Sequence, residues 1–461
     1  VRVTNIGEPP EAIVPQGIVA ALFRASWGPL GEVTYLESAD AVTSIFGSEG
    51  RTDAAIEAFR GGCRRVVAYR LGSDGQKAAV TLQDSEEVNV VTITAKHEGA
   101  RGNNFSVSVR DSLADNTKRE LLLYEGATLR QTITFAKGSG EPQALVDAVV
   151  ASNSPYITAV KSEDGSGVLA TVTQQPLTGG ENPIVNGESY SAGLSAIEAI
   201  DWNVLAVDTE DTATHAVVQT YIDRVRNEGK RVLGVVGELI GGPTGVPLAT
   251  RLAHARAFND PAIIYVANGF KGADGVAREG YKAAARVAGM TAAAQITESL
   301  THYVVRGATE LVGALTNAEI EQAIQSGALI FTMSAQKQIH IEYGINTFIT
   351  VTADMDAGWK KIRRVKTRDN LMDRIAATWD PLIGKINNSP DGRATLIAAA
   401  QGIINRMIAE GALLQGSIFE DPNNPPAGDS AWFVVQVDDL DSAEKVYINF
   451  QFRFAPPAEN Q

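Results

Sequence analysis

Three short apolar runs, at 203–207 (NVLAV), 232–236 (VLGVV) and 262–266 (AIIYV), are separated by stretches of helical periodicity at 213–228 and 248–258. Runs so short and uniformly apolar fit strands buried on both faces. The intervening helices supply the crossovers that a parallel sheet requires. Two further buried strands are expected at GIVAALFRAS, from Gly17, and at RVVAYRL, residues 65–71. Short helices at 38–47 and 54–60 lie between them. Ser38 has the side chain of an N-cap, and Gly47 and Gly411 suit helix stops. A further helix at 280–290 is rich in alanine, so it is expected to pack closely against a partner that the sequence does not identify.

Other textures flank this pattern. Between 88 and 183, runs such as VNVVTITA, FSVSVR, ELLLY and TITFA alternate with Gly, Asn and Asp turns, and one helix near 142–151 interrupts them. That is a β-rich module inserted in the α/β chain. After 345 the chain reads as a strand at 345–351, a basic segment at 359–367, helices at 370–383 and 393–411, and strands at 432–437 and 446–454. The expected fold is therefore α/β and multidomain. It has an N-terminal arm (1–16), an α/β core with a largely parallel sheet (17–87 plus 184–344), an inserted β-rich domain (88–183), and an α+β C-terminal domain (345–461) ending in a strand arm. The chain opens on Val1, so the true start of the arm is expected upstream.

The net charge of −14 over 461 residues argues against non-specific nucleic-acid binding, which needs a positive field to displace counterions. No apolar run reaches the ~18 residues that span a bilayer, and no secretory signal is expected. A lone cysteine, Cys63, excludes an intrachain disulfide.

Sites of chemistry are sparse. The five histidines, at 97, 215, 254, 302 and 340, show no metal-ligand spacing. Gly275 and Gly280 have phosphate-loop separation, but Tyr281 stands where the phosphate-gripping lysine is needed. Cys63 follows two glycines and precedes two arginines that could lower a thiol pKa, yet a small residue before a strand also explains it. The best enzyme reading places a site beyond the carboxyl ends of the strands, near Asp208, Glu238 and Asn268. Residues of these types are also ordinary caps and loop residues, so no catalytic, cofactor or metal residue is assigned.

Two features suggest assembly instead. Residues 359–374 carry seven basic side chains (Lys360, Lys361, Arg363, Arg364, Lys366, Arg368 and Arg374) against Asp369 and Asp373. This face either pairs with the chain's own acids or docks on an acidic partner. In the closing run, Val446, Ile448, Phe450, Phe452 and Phe454 alternate with Tyr447, Asn449, Gln451 and Arg453, so one face is wholly apolar. Such a strand completes its own sheet or adds to a neighbour's. Burying its five apolar side chains is worth roughly 8–15 kcal/mol gross. Ordering nine residues costs roughly 9–18 kcal/mol. A donated strand therefore needs a preformed sheet and many linked contacts.

In this order along the chain, GIVAALFRASWGPLGEVTYLESADAVTSIFG, AIEAFRGGCRRVVAYRLG, GARGNNFSVSV, TGGENPIVNGESYSAGLSAIEAIDWNVLAV, AARVAGMTAAAQITESLTHY and IGKINNSPDGRATLIAAAQGIINRMIAEGAL resemble the tail sheath proteins of contractile phage tails and related prophage or bacteriocin particles. The opening departs from that family, where a longer arm beginning Pro-Gly-Val is expected in place of VRVTNIGE. The resemblance implies a structural, non-enzymatic subunit without cofactors. Such subunits form a helical tube around an inner tail tube, and the sheath contracts to drive that tube through the host envelope. Terminal arms link the subunits by strand exchange, which here assigns Val446, Ile448, Phe450, Phe452 and Phe454, with Val1 and Val3, to the intersubunit strands. Lys360, Lys361, Arg363, Arg364, Lys366 and Arg368 become candidate contacts to the tube. The implied partners are further copies of the chain, the inner tail tube, and baseplate and tail terminator proteins, with no nucleic acid and no membrane insertion. The implied location is a virion tail assembled from protein made in the host cytoplasm.

Overall fold

In the computed structural model, which describes residues 16–162, 167–353 and 355–444, seven strands form one sheet. They are β1 (Ile18–Phe23), β2 (Val33–Leu36), β3 (Arg65–Arg70), β4 (Val204–Val207), β5 (Leu233–Gly237), β6 (Ile263–Val266) and β7 (Ala328–Leu329). Their order is β7-β6-β5-β4-β1-β3-β2. All pairings are parallel except the edge pair of β2 and β3. Every residue of β1, β4, β5 and β6 is buried, so both faces of the sheet centre are covered.

The partner of the alanine-rich helix Tyr281–Ala293 is helix Asp53–Gly61. Only small residues allow the approach. A Cβ on Gly289 would overlap the Ala58 carbonyl, and one on Gly61 would overlap the backbone at Arg286. The Glu57 carboxylate, buried on this helix pair, receives Arg278 Nε at 2.7 Å and Arg286 Nε at 2.9 Å. Nothing in the periodicity marked this buried charge cluster. The one available signal was an acid between Ala54, Ala58 and Gly61 on a face otherwise built of small residues.

The β-rich insertion consists of two antiparallel sheets. One orders Ala79–Gln83, Asn89–Ala95 and Ile157–Lys161. The other orders Val172–Pro176, Phe105–Asp111, Lys118–Glu125 and Thr128–Ala136. The expected boundary at 88 cuts through the first sheet, because Ala79–Gln83 pairs with Asn89–Ala95. Trp27, from the loop after β1, joins the insertion's apolar core and meets His97 and Phe105 edge-on at 5.1 and 5.2 Å. Fully buried Arg70 donates to the carbonyls of Ala25 (3.1 Å), Gly28 (2.7 Å) and Glu98 (2.8 Å), tying the end of β3 to the same region.

The chain divides into two compact units, and the α/β core with its insertion spans residues 16–294 and 302–362. The division falls at 362/363 and not at 345. The expected strand at 345–351 is absent. Ile345 instead forms an isolated bridge with Lys361, and the Thr347 amide donates to the Ile263 carbonyl at 2.9 Å, which holds this segment on β6.

The described part of the second unit comprises 295–301 and 363–444. Helix Ile362–Trp379 begins at the boundary, so the basic segment is α-helical from Arg363 onward, while Lys360 ends a short 3-10 turn and Lys361 is extended. Helix Pro390–Ala409 starts where Ser389 Oγ accepts the Gly392 amide at 3.2 Å. Strands Leu413–Glu420 and Phe433–Asp439 pair antiparallel, and the first of them was not anticipated. Leu371, Ile375, Ile404, Met407, Leu413 and Ile418 form this unit's core.

Candidate functional site

The strand order reverses between β1 and β4. The chain runs from β1 to β3 on one side and from β4 through β7 on the other. Open α/β sheets bind ligands at the carboxyl side of such a reversal. Here that position is occupied by the protein's own charges. Asp208, which closes β4, is fully buried, and its Oδ2 accepts from the Arg24 backbone amide (2.7 Å) and Arg24 Nε (2.9 Å). Its Oδ1 accepts from the Tyr190 hydroxyl at 2.6 Å. Burial, then the charge of Asp208, pushes the Tyr190 phenol up, so it stays protonated as the donor. Arg51 Nη1 donates to the Asp208 carbonyl (2.8 Å) and to Glu210 Oε2 (2.5 Å), and its guanidinium lies 4.8 Å over the Tyr281 ring. Two guanidiniums thus meet two carboxylates where a ligand would enter.

Glu238, after β5, is also buried. It accepts from the Tyr265 hydroxyl and lies 2.8 Å from His254 Nδ1. A cavity of about 260 Å³ lies beside this trio, lined by His215, Gln219, His254, Phe258 and Tyr265 among others. Asn268 acts as a substitute strand partner: Nδ2 donates to the Phe331 carbonyl at 2.8 Å, and Oδ1 accepts the Phe331 amide at 2.7 Å. Asp208, Glu238 and Asn268 each hold a separate set of partners, and these contacts do not combine them into one site.

Among the described residues no group of three or more His, Cys, Asp or Glu side chains could hold a metal ion. Tertiary structure does bring two histidines together: the rings of His302 and His340 stack at 4.7 Å. Cys63 is buried, and burial pushes its thiol up to about 12, the opposite of activation. Among the described residues no helix is long and apolar enough to cross a membrane.

The basic segment is largely internal. Lys360 donates to the Ile324 carbonyl, and the Lys361 ammonium lies 5.9 Å from the Tyr343 ring centre. Arg363 is buried and stands 3.5 Å from an Asp441 carboxylate oxygen. Arg364 grips Asp439 through Nε (2.6 Å) and Nη2 (2.7 Å). Burial pushes the Lys366 ammonium down to about 8. Arg368, 3.7 Å from Asp369, keeps nearly half of its side chain exposed. The closing-strand residues Val446, Ile448, Phe450, Phe452 and Phe454, and Val1 and Val3 of the arm, lie outside the described residues. Described structure stops at Glu444, whose Oε1 accepts from Ser299 Oγ at 2.6 Å.

Two family models match the chain: the phage tail sheath protein central domain over residues 185–347 and the phage tail sheath protein beta-sandwich domain over residues 73–182. The phage-like element PBSX protein XkdK of Bacillus subtilis is 23% identical over 455 residues, covering 95% of this chain and 92% of its own length. The crystal structure of a sheath tail protein from Desulfitobacterium hafniense has 25% identity and superposes with a TM-score of 0.75, over 95% of this chain and all of that one. The helical sheath of the anti-feeding prophage in its contracted state shares the fold at 12% identity, with a TM-score of 0.54 over 98% of this chain and 97% of that one.

Proposed function

This chain belongs to the phage tail sheath protein family, and we propose that it polymerises into the helical sheath of a contractile tail, enclosing an inner tail tube and driving it outward on contraction. The family's members are structural tail proteins, so the alternative of an enzyme sited at Asp208, Glu238 and Asn268 is set aside. The internal pairing of those side chains agrees with that. One observation carries the mechanical reading. The described C-terminal sheet has only two strands, Leu413–Glu420 and Phe433–Asp439, with one face packed on helix Pro390–Ala409. A two-stranded sheet is a marginal unit with open edges, and a further strand that adds to such an edge gains backbone pairing and apolar cover.

The period-two run at 446–454 follows directly, and in this proposal it is the strand given to a neighbouring subunit. Val1 and Val3 belong to the second arm. The basic side chains around the 362/363 boundary that reach solvent, exposed Arg368 and half-buried Lys361, face the tube, and baseplate and terminator proteins meet the ends of the assembly. Removing residues 444–461 is expected to leave a folded protein that forms no tubes in negative-stain micrographs, while the intact chain does. Tubes from the truncated protein would end the strand-donor reading and leave family membership untouched.

A further inference from the structure

The chain contains two Asn-Gly pairs, Asn186–Gly187 and Asn268–Gly269. Both side-chain oxygens accept hydrogen bonds, but the two sites differ in burial, in the hold on Nδ2 and in the freedom of the glycine nitrogen. Asn268 is buried, and both ends of its amide are held by the Phe331 backbone at 2.7 and 2.8 Å. Gly269 pairs with Val312 in an antiparallel ladder, and even a Cβ there would overlap the Arg278 carbonyl. The Asn268 amide cannot turn toward its neighbour without breaking this network.

Asn186 is exposed and caps helix Gly187–Ala196 from an extended backbone (φ −136°, ψ −173°). Its Oδ1 accepts from the Ser189 amide at 3.0 Å and the Ser189 hydroxyl at 3.1 Å. Gly187 is the first helical residue, so its N–H lies outside the helix's own ladder. Apart from its chain neighbours and the backbone of its own helix, no atom lies within 4 Å of where a Gly187 side chain would begin, so no other part of the chain crowds this bond.

We propose that Asn186 is a site of spontaneous deamidation in the native protein. The Gly187 backbone nitrogen attacks Asn186 Cγ, the new N–C bond closes a succinimide ring, and Nδ2 leaves as ammonia carrying the proton lost by the amide. Water then opens the ring at either carbonyl. One opening leaves aspartate and the other isoaspartate, whose main chain is longer by one atom. Aspartate keeps a cap at a helix N-terminus that favours negative charge. Isoaspartate displaces the capping oxygen from Ser189. This helix carries Tyr190, whose hydroxyl anchors Asp208, so the two products differ in how they treat the charge cluster at the end of β4.

The test is peptide mapping by mass spectrometry of the intact chain aged in mildly alkaline buffer, native and in denaturant. The native chain is expected to convert Asn186 at least about tenfold faster than Asn268, the factor set by breaking the buried amide's hydrogen bonds. In denaturant the two rates should converge. Asn186→Ser, which keeps a capping oxygen, should remove the modified peptide without lowering the melting temperature. Equal native rates at Asn186 and Asn268 would overturn the proposal, as would a chain whose Asn186 remains intact while the unfolded chain converts.

Discussion

Gly289 passes Ala58 so closely that the glycine has no room for a side chain: a Cβ there would overlap the Ala58 carbonyl oxygen. The obstacle is backbone, which cannot swing aside. Gly289→Ala is expected to destabilise the α/β unit by about 3 kcal/mol, the upper range for overpacking. Gly402, in helix Pro390–Ala409, has open space at the same test position. Gly402→Ala should stabilise by about 0.5–1 kcal/mol through helix propensity. Urea unfolding of both variants checks the pair, and similar midpoints would contradict the packing argument.

Glu57 is buried between Arg278 and Arg286, and Arg60 adds a third guanidinium at 2.6 Å. Removing one partner of a buried ion pair leaves uncompensated charge and costs about 3–5 kcal/mol. Glu57→Gln keeps the shape and loses the charge, so a loss of that order is expected in denaturant midpoints. A loss under about 1 kcal/mol would mean that the cluster behaves like an exposed pair.

Burial beside Trp27, helped by the charges of Arg70, Lys96 and Lys77, pushes the His97 imidazole down from 6.5 to about 4. Between those values the unfolded chain binds a proton that the folded chain refuses. The stability His97 contributes is therefore whole above pH 6.5 and is lost as pH falls through about 4. His97→Phe keeps a ring against Trp27 without a titrating group. It should flatten the decline in melting temperature over that interval, and an unchanged decline would place the acid sensitivity elsewhere.

Burial holds the Cys63 thiol near 12, far above its ordinary 9.0. Iodoacetamide is expected to leave Cys63 unmodified in the native chain at neutral pH and to label it fully in denaturant. Mass spectrometry reads both states. Rapid native labelling would show that the turn opens or that Arg64 and Arg65 activate the sulfur.

Lys361→Glu combined with Arg368→Glu tests the proposed tube contact without touching the Arg364–Asp439 pair. Binding to purified inner tube protein should weaken by about tenfold and lose part of its salt dependence. Cosedimentation at two ionic strengths measures this, and unchanged binding would remove these side chains from the contact.

Much of the candidate site was visible in the chain as residue types in plausible places, but their roles were not. Asp208, Glu238 and Asn268 do close successive buried strands, as the α/β pattern requires. Whether such a group is free for chemistry depends on what faces it, and Arg24 comes from 184 positions away. The basic segment shows the same gap. Its charge was legible, yet Arg364 is paired with Asp439, 75 positions downstream.

Periodicity and local stereochemistry were enough to establish the parallel sheet, the inserted β module, the cap at Ser38, and the order of segments that marks a tail sheath protein. These are properties of neighbours along the chain, where spacing alone says which face is apolar and which residue can end a helix. The tertiary structure decided the partner of the alanine-rich helix, the seat of Glu57, the filling of the crevice between β1 and β4, and the division at 362/363. Each depends on which distant surface comes to lie opposite. A linear pattern can say that a face must be covered, and only the folded chain supplies what covers it.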